Sequence, residues 1–144
     1  MMAKGLMILP VLLALSACSG EAPHRAEPGA SDTPAAALSP FQSDIAPLLA
    51  ASCATCHLTG EEAGNMSLVP ARAIATLVGV KAKGAPALMR VVPGDPDQSY
   101  LVMKLEGTQI AHGGSGAQMP FGAPPLSPDK IAMIRKWIKQ GAKP

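Results

Sequence analysis

Cys53-Ala54-Thr55-Cys56-His57 decides the reading of this chain. Two thiols separated by two residues, with an imidazole directly after the second, form the attachment pattern of a c-type haem. The order is chemical. Each thiol adds across one vinyl group of a porphyrin, while the adjacent imidazole reaches the iron from the same side. One turn of backbone then supplies two thioether anchors, Cys53 and Cys56, and the proximal iron ligand, His57.

Other uses of such a pair make different demands on the surrounding sequence. A thioredoxin-like redox dithiol expects a strand before the motif and a helix running on from it, and neither pattern flanks Cys53. A structural zinc site needs two further ligands at recognisable spacing. Outside the motif the chain offers only His24, His112 and Cys18, and no second Cys-x-x-Cys.

Toward the N-terminus, Met1-Met2-Ala3-Lys4 is a short basic opening and Gly5 to Leu15 is an apolar run. The run falls well below the roughly 20 residues of a membrane-spanning helix and reads as a secretory leader. Leu15-Ser16-Ala17-Cys18 resembles the lipobox of bacterial lipoproteins. That resemblance implies cleavage after residues 1–17 and diacylglyceryl attachment to Cys18; the alternative is an ordinary signal peptide with an incidental cysteine. Two or more acyl chains anchor stably without a spanning helix, at about 0.8 kcal/mol per buried methylene. The three cysteines are then all assigned, Cys18 to lipid and Cys53 and Cys56 to haem, and no disulfide is expected. The expected location is the periplasmic side of a bacterial cell envelope, where covalent haem attachment takes place. Ser19 after the lipid site, in place of Asp, leans toward the outer membrane by the sorting rule of enteric bacteria.

Residues 18–40 are rich in Glu, Ala, Pro, Ser and Gly and bury too little apolar surface to offset their ordering entropy. They read as a lipid-anchored tether kept extended by Pro23, Pro28, Pro34 and Pro40, with His24 solvated inside it. Residues 41–144 form the expected folded domain. Twelve Lys and Arg face ten Asp and Glu, and loss of Lys4 with the leader brings the two nearly level. Arg72, Lys81, Lys83 and Arg90 therefore read as scattered solvated charge, with a basic surface near the haem as the alternative, and no nucleic-acid partner is expected. Phe41, Tyr100, Phe121 and Trp137 are the only large rings, so a buried porphyrin would stand in for missing core.

Within the domain, Asp44 is placed to cap a helix whose apolar face, Ile45, Leu48, Leu49 and Ser52, ends at the cysteines. Residues 58–67 are turn-rich. Short helices are expected over Ala71–Val78 and over Asp97–Leu105, the second stopped by Gly107. Residues 108–125 form a long Gly/Pro loop without periodicity, and such loops in compact domains are usually functional. The clearest helix comes last: Ser127 as cap, Pro128 at the first position, Asp129 at the positive end and a buried stripe of Ile131, Ile134, Trp137 and Ile138. Lys136, Lys139 and Gly141 suit its end.

These features together resemble a class I monohaem cytochrome c of the small bacterial type, over essentially the whole of residues 41–144. The resemblance implies an all-α fold, short helices packed around one covalently attached haem c, with the N- and C-terminal helices against each other beside it. It also implies a distal methionine from a loop ahead of the last helix. Gln118-Met119-Pro120-Phe121-Gly122, leading to Leu126-Ser127-Pro128, matches that loop and carries the distal role onto Met119. Independently, Met103 and Met133 fall in expected helices, where methionine usually packs a core, and Met66 and Met89 lie near short turns. Met119 alone sits in the long loop, with Pro120 after it biasing its backbone toward extended geometry. His112 and an open distal side are the alternatives.

Iron held by histidine and thioether has no open position for a substrate, and the thioether raises its potential. The expected function is single-electron transfer between a redox protein donor and acceptor, by a membrane-tethered carrier that is not itself an enzyme. An open distal side would instead bind a gas or peroxide, and the domain also suits a haem subunit of a larger oxidoreductase. Without haem, the chain would be a zinc or interaction lipoprotein. Trp137, Tyr100 and Arg90 carry donors suited to haem propionates, and spacing places none of them.

Overall fold

In a computed structural model of the chain, which describes residues 37–144, the first element starts from a reciprocal cap. The Ser39 N–H donates to Gln42 Oε1 at 3.0 Å and the Gln42 N–H to Ser39 Oγ at 3.2 Å. This capping box opens a π turn, Phe41–Ile45, that runs into α1, Ala46–Ser52. The expected cap Asp44 lies inside the π turn and caps nothing, because the helical path begins earlier than the apolar periodicity announces. The leader, Cys18, His24 and most of the expected tether lie outside the described residues. Among the described residues no helix is long and apolar enough to cross a membrane.

The remaining helices are α2, Pro70–Leu77; α3, Tyr100–Glu106; and α4, Pro128–Lys139, with a 3₁₀ turn at Gln109–His112. Proline at the start of α2 and α4 costs nothing, since the first amides have no intrahelical acceptor. α3 starts later than expected, because the Asp95 side chain accepts from the N–H groups of Asp97 and Gln98 and holds them in a turn. Gly107, left-handed at φ 76°, stops it.

The expectation of an all-α class I cytochrome c fold is overturned. Between α2 and α3 the chain forms an antiparallel hairpin, β1 Lys81–Ala82 and β2 Ala85–Met89, so the described residues mix four α-helices with a two-stranded sheet. Ala82 pairs with Ala85 and Lys81 with Met89, a register interrupted by a bulge. The reason it escaped periodicity is physical. β1 is two residues long and β2 contains Pro86, a residue tolerated only where a strand edge needs no donor.

Two apolar clusters organise these elements. The larger gathers Phe41, Ile45, Leu48, Leu49, Leu77, Val91, Val102, Leu105, Ile134, Trp137 and Ile138, with the Phe41 and Trp137 rings 5.6 Å apart and tilted by 40°. The smaller joins Ala82 and Ala85 of the hairpin to Tyr100 and Met103 of α3. α3 thus buries opposite faces, Val102 and Leu105 into one cluster and Tyr100 and Met103 into the other. On α4 the stripe Ile131, Ile134, Trp137 and Ile138 faces the larger cluster. Met133 lies off that stripe and is 39% exposed, so it does not pack the core as its helical position led us to expect.

Candidate functional site

The motif sits at the C-terminal end of α1. Cys53 N–H still donates to Leu49 O at 2.9 Å, and then the chain turns. The Cys53 carbonyl accepts from Cys56 N–H at 3.2 Å and from His57 N–H at 3.1 Å, which folds the five residues into a single turn. Cys53 is half-buried against the larger cluster, Cys56 is exposed, and His57 is buried. Both thiols are free.

The setting of Cys53 is poor for thiolate chemistry. Burial, with Cys56 alongside, pushes the Cys53 thiol up to about 11. The end of α1 also presents the negative pole of the helix, whereas reactive dithiols sit at the positive one. Zinc fares no better. Among the described residues no three His, Cys, Asp or Glu side chains gather as a metal site, so a closed tetrahedron lacks its ligands. A centre held by one imidazole and one thioether needs no such gathering.

His57 is positioned by the loop on its C-terminal side. Its carbonyl accepts the Leu68 N–H at 2.7 Å, closing that loop over residues 58–67. Ser67 Oγ donates to Leu58 O at 2.7 Å, and Thr76 Oγ1 of α2 donates to Ser67 O at 2.5 Å. Arg90 completes the loop's support. Its side chain, only 8% exposed, donates to Thr76 O at 2.6 Å and to Gly64 O and Asn65 O at 2.7 and 3.0 Å. Within the loop, the Glu62 carboxylate accepts from the N–H groups of Thr59 and Gly60 and from the Thr59 hydroxyl, which holds it down at about 2.

The imidazole itself is under-satisfied. His57 Nδ1 is buried without a hydrogen-bond partner. Burial lowers the His57 pKa below its ordinary value, against smaller upward pulls from the Ala63 backbone and the Glu62 carboxylate. A neutral imidazole with an uncommitted nitrogen is the form that binds a metal.

Met119 lies at the edge of the same apolar cluster as Cys53, half-buried, with its N–H donating to Lys104 O at 2.8 Å. His112, the alternative distal ligand, ends the 3₁₀ turn and is exposed. All three suggested propionate donors are already committed: Trp137 Nε1 donates to Lys143 O at 2.8 Å, the Tyr100 hydroxyl bonds Ser115 at 3.2 Å, and Arg90 is held by the carbonyls of Thr76, Gly64 and Asn65. Sequence reasoning took Arg90 for solvated charge and passed over Ser67, Thr76, Lys104 and Gln109. Their partners are backbone oxygens, which leave no pattern in the order of side chains.

No family model matches the chain, and no curated protein or solved structure matches it either.

Proposed function

We propose that the protein is a single-electron carrier built on one covalently attached haem c, with His57 as proximal and Met119 as distal iron ligand. The observation that carries this reading is the pairing at one apolar cluster. The Cys-x-x-Cys-His turn brings up a thiol half-buried on that cluster and, in the same turn, a buried, under-satisfied imidazole, and the Met119 side chain packs on the same cluster. When bound, the haem supplies the reversible one-electron couple.

The chain's own residues do the rest. Cys53 and Cys56 fix the macrocycle at the end of α1, and both are free thiols available for thioether formation. The Ser67–Thr76–Arg90 set holds the loop after His57, and ligands held this firmly rearrange little on a change of oxidation state. Leu49, Leu68, Leu105 and Ile134 belong to the buried cluster on which Cys53 and Met119 pack. Lipidation of Cys18 would keep the carrier at the periplasmic face of an envelope membrane, within reach of donor and acceptor redox proteins.

The test is the visible spectrum of the chain produced with cytochrome maturation machinery, oxidised and reduced, with and without carbon monoxide. The expected result is a low-spin c-type spectrum with a methionine-to-iron charge-transfer band, lost in Met119→Ala, and indifferent to carbon monoxide. A colourless protein overturns the reading, and a spectrum readily changed by carbon monoxide replaces it with a ligand-binding haem.

A further inference from the structure

The loop from Gly113 to Met119 is fastened along its length to α3 and the 3₁₀ turn. The Lys104 ammonium donates to Ser115 O at 3.2 Å and to Ala117 O, while the Lys104 carbonyl accepts the Met119 N–H at 2.8 Å. Gln109 Nε2 donates to Gly116 O at 2.8 Å, and Gln118 Nε2 reaches back to Leu105 O at 2.8 Å. Tyr100 supports the loop from below, accepting the Ser115 N–H at 3.2 Å. Gly114 lies so close that a Cβ there would stand 2.5 Å from the Tyr100 ring and 2.8 Å from the Gln109 carbonyl.

Two features separate this arrangement from ordinary packing. Among the described residues Lys104 has no acidic partner, so its charge is directed wholly at loop carbonyls. Gln109 is buried, and its Oε1 has no donor, a deficit of the kind that usually costs about 1–3 kcal/mol. Turning the amide over would set oxygen against the Gly116 carbonyl and lose the loop bond. The fold keeps the deficit and keeps the bond.

We propose that Lys104 and Gln109 are positioning residues for the distal ligand, fixing the Gly113–Met119 loop so that the Met119 thioether stays on the iron in both oxidation states. The inference rests on the assignment of Met119 made above. Neither side chain bonds anything but the loop, so their loss frees the methionine while leaving the larger cluster and the Cys53–His57 turn in place.

The experiment uses the haem-loaded full chain as Lys104→Met, Gln109→Leu and Lys104→Arg, read by the methionine-to-iron band, carbon monoxide uptake by the reduced protein, and far-ultraviolet circular dichroism. Lys104→Met, which removes both ammonium bonds to the loop, is expected to hold at least roughly tenfold more of the methionine-off form. The band weakens and carbon monoxide uptake appears; Gln109→Leu moves the same way by less, and Lys104→Arg restores the parent behaviour. An unchanged band and continued exclusion of carbon monoxide in both loss variants overturn the proposal. So does loss of helical signal in both, because a positioning role leaves the helices folded. A parent band that survives Met119→Ala overturns the ligand assignment itself, which distinguishes that failure from failure of the clamp alone.

Discussion

The loops on the two sides of the candidate centre, 58–67 after His57 and 113–126 around Met119, are held by different means. The first is closed by one buried cation and a relay of hydroxyls that tie it to α2 and Arg90. The hydrogen bonds that fasten the second end at Met119; beyond it Phe121 is 76% exposed, and the segment up to α4 touches the larger cluster only through Leu126. A proximal ligand in a five-residue attachment motif needs its loop fixed once, on folding. A distal ligand supplied from a loop depends on bonds that can be broken one at a time.

The sharpest way to break this contrast is Arg90→Met. It leaves the carbonyls of Thr76, Gly64 and Asn65 without their donor, and we expect a loss of about 3 kcal/mol in denaturant unfolding. A loss below about 1 kcal/mol would show that the proximal loop is not held by its buried cation.

Acid gives a smaller effect. The folded His57 resists protonation that the unfolded imidazole accepts near 6.5, so stability is complete above that value and is lost as pH falls through the lowered folded pKa. Urea midpoints of the haem-free chain on either side of 6.5 should show this slope, at most about 1.4 kcal/mol per pH unit, and His57→Gln should remove it. Iron ligation should hold the imidazole neutral and shift the slope to lower pH. An acid slope that survives His57→Gln would assign it to other groups. The smallest effect is expected at the free end of the distal loop, where Phe121→Ser should change stability by no more than about 0.5 kcal/mol. A larger loss would mean that this end is packed as firmly as the proximal loop.

How much of this was legible in the order of residues depends on what each residue bonds to. α4 could be read closely, because Pro128 at its start and the Ile131, Ile134, Trp137, Ile138 stripe are local signals of a helix on a core. Gly107 announced the end of α3 for the same reason. The hairpin could not be read, since two residues give no alternation and Pro86 argues against a strand. Arg90 looked like surface charge because the oxygens that hold it lie 14 to 26 residues away along the chain. The attachment turn was legible as chemistry, whereas the burial of His57 and the orphaned Nδ1 depend on packing that no spacing encodes.

The hairpin that overturned the helical expectation also divides the molecule thermodynamically. Gly84 O at its tip accepts from Ser115 Oγ at 3.0 Å, and its alanines pack with Tyr100 and Met103 in a cluster separate from the main core. Residues 113–118 therefore rest on a small unit suited to local opening below the free energy of global unfolding, while Met119 itself also packs on the larger cluster. Amide hydrogens at Gly114 and Met119 should exchange through this partial opening while those of α1 and α4 stay protected, so the loop that carries Met119 can open without the chain ever unfolding.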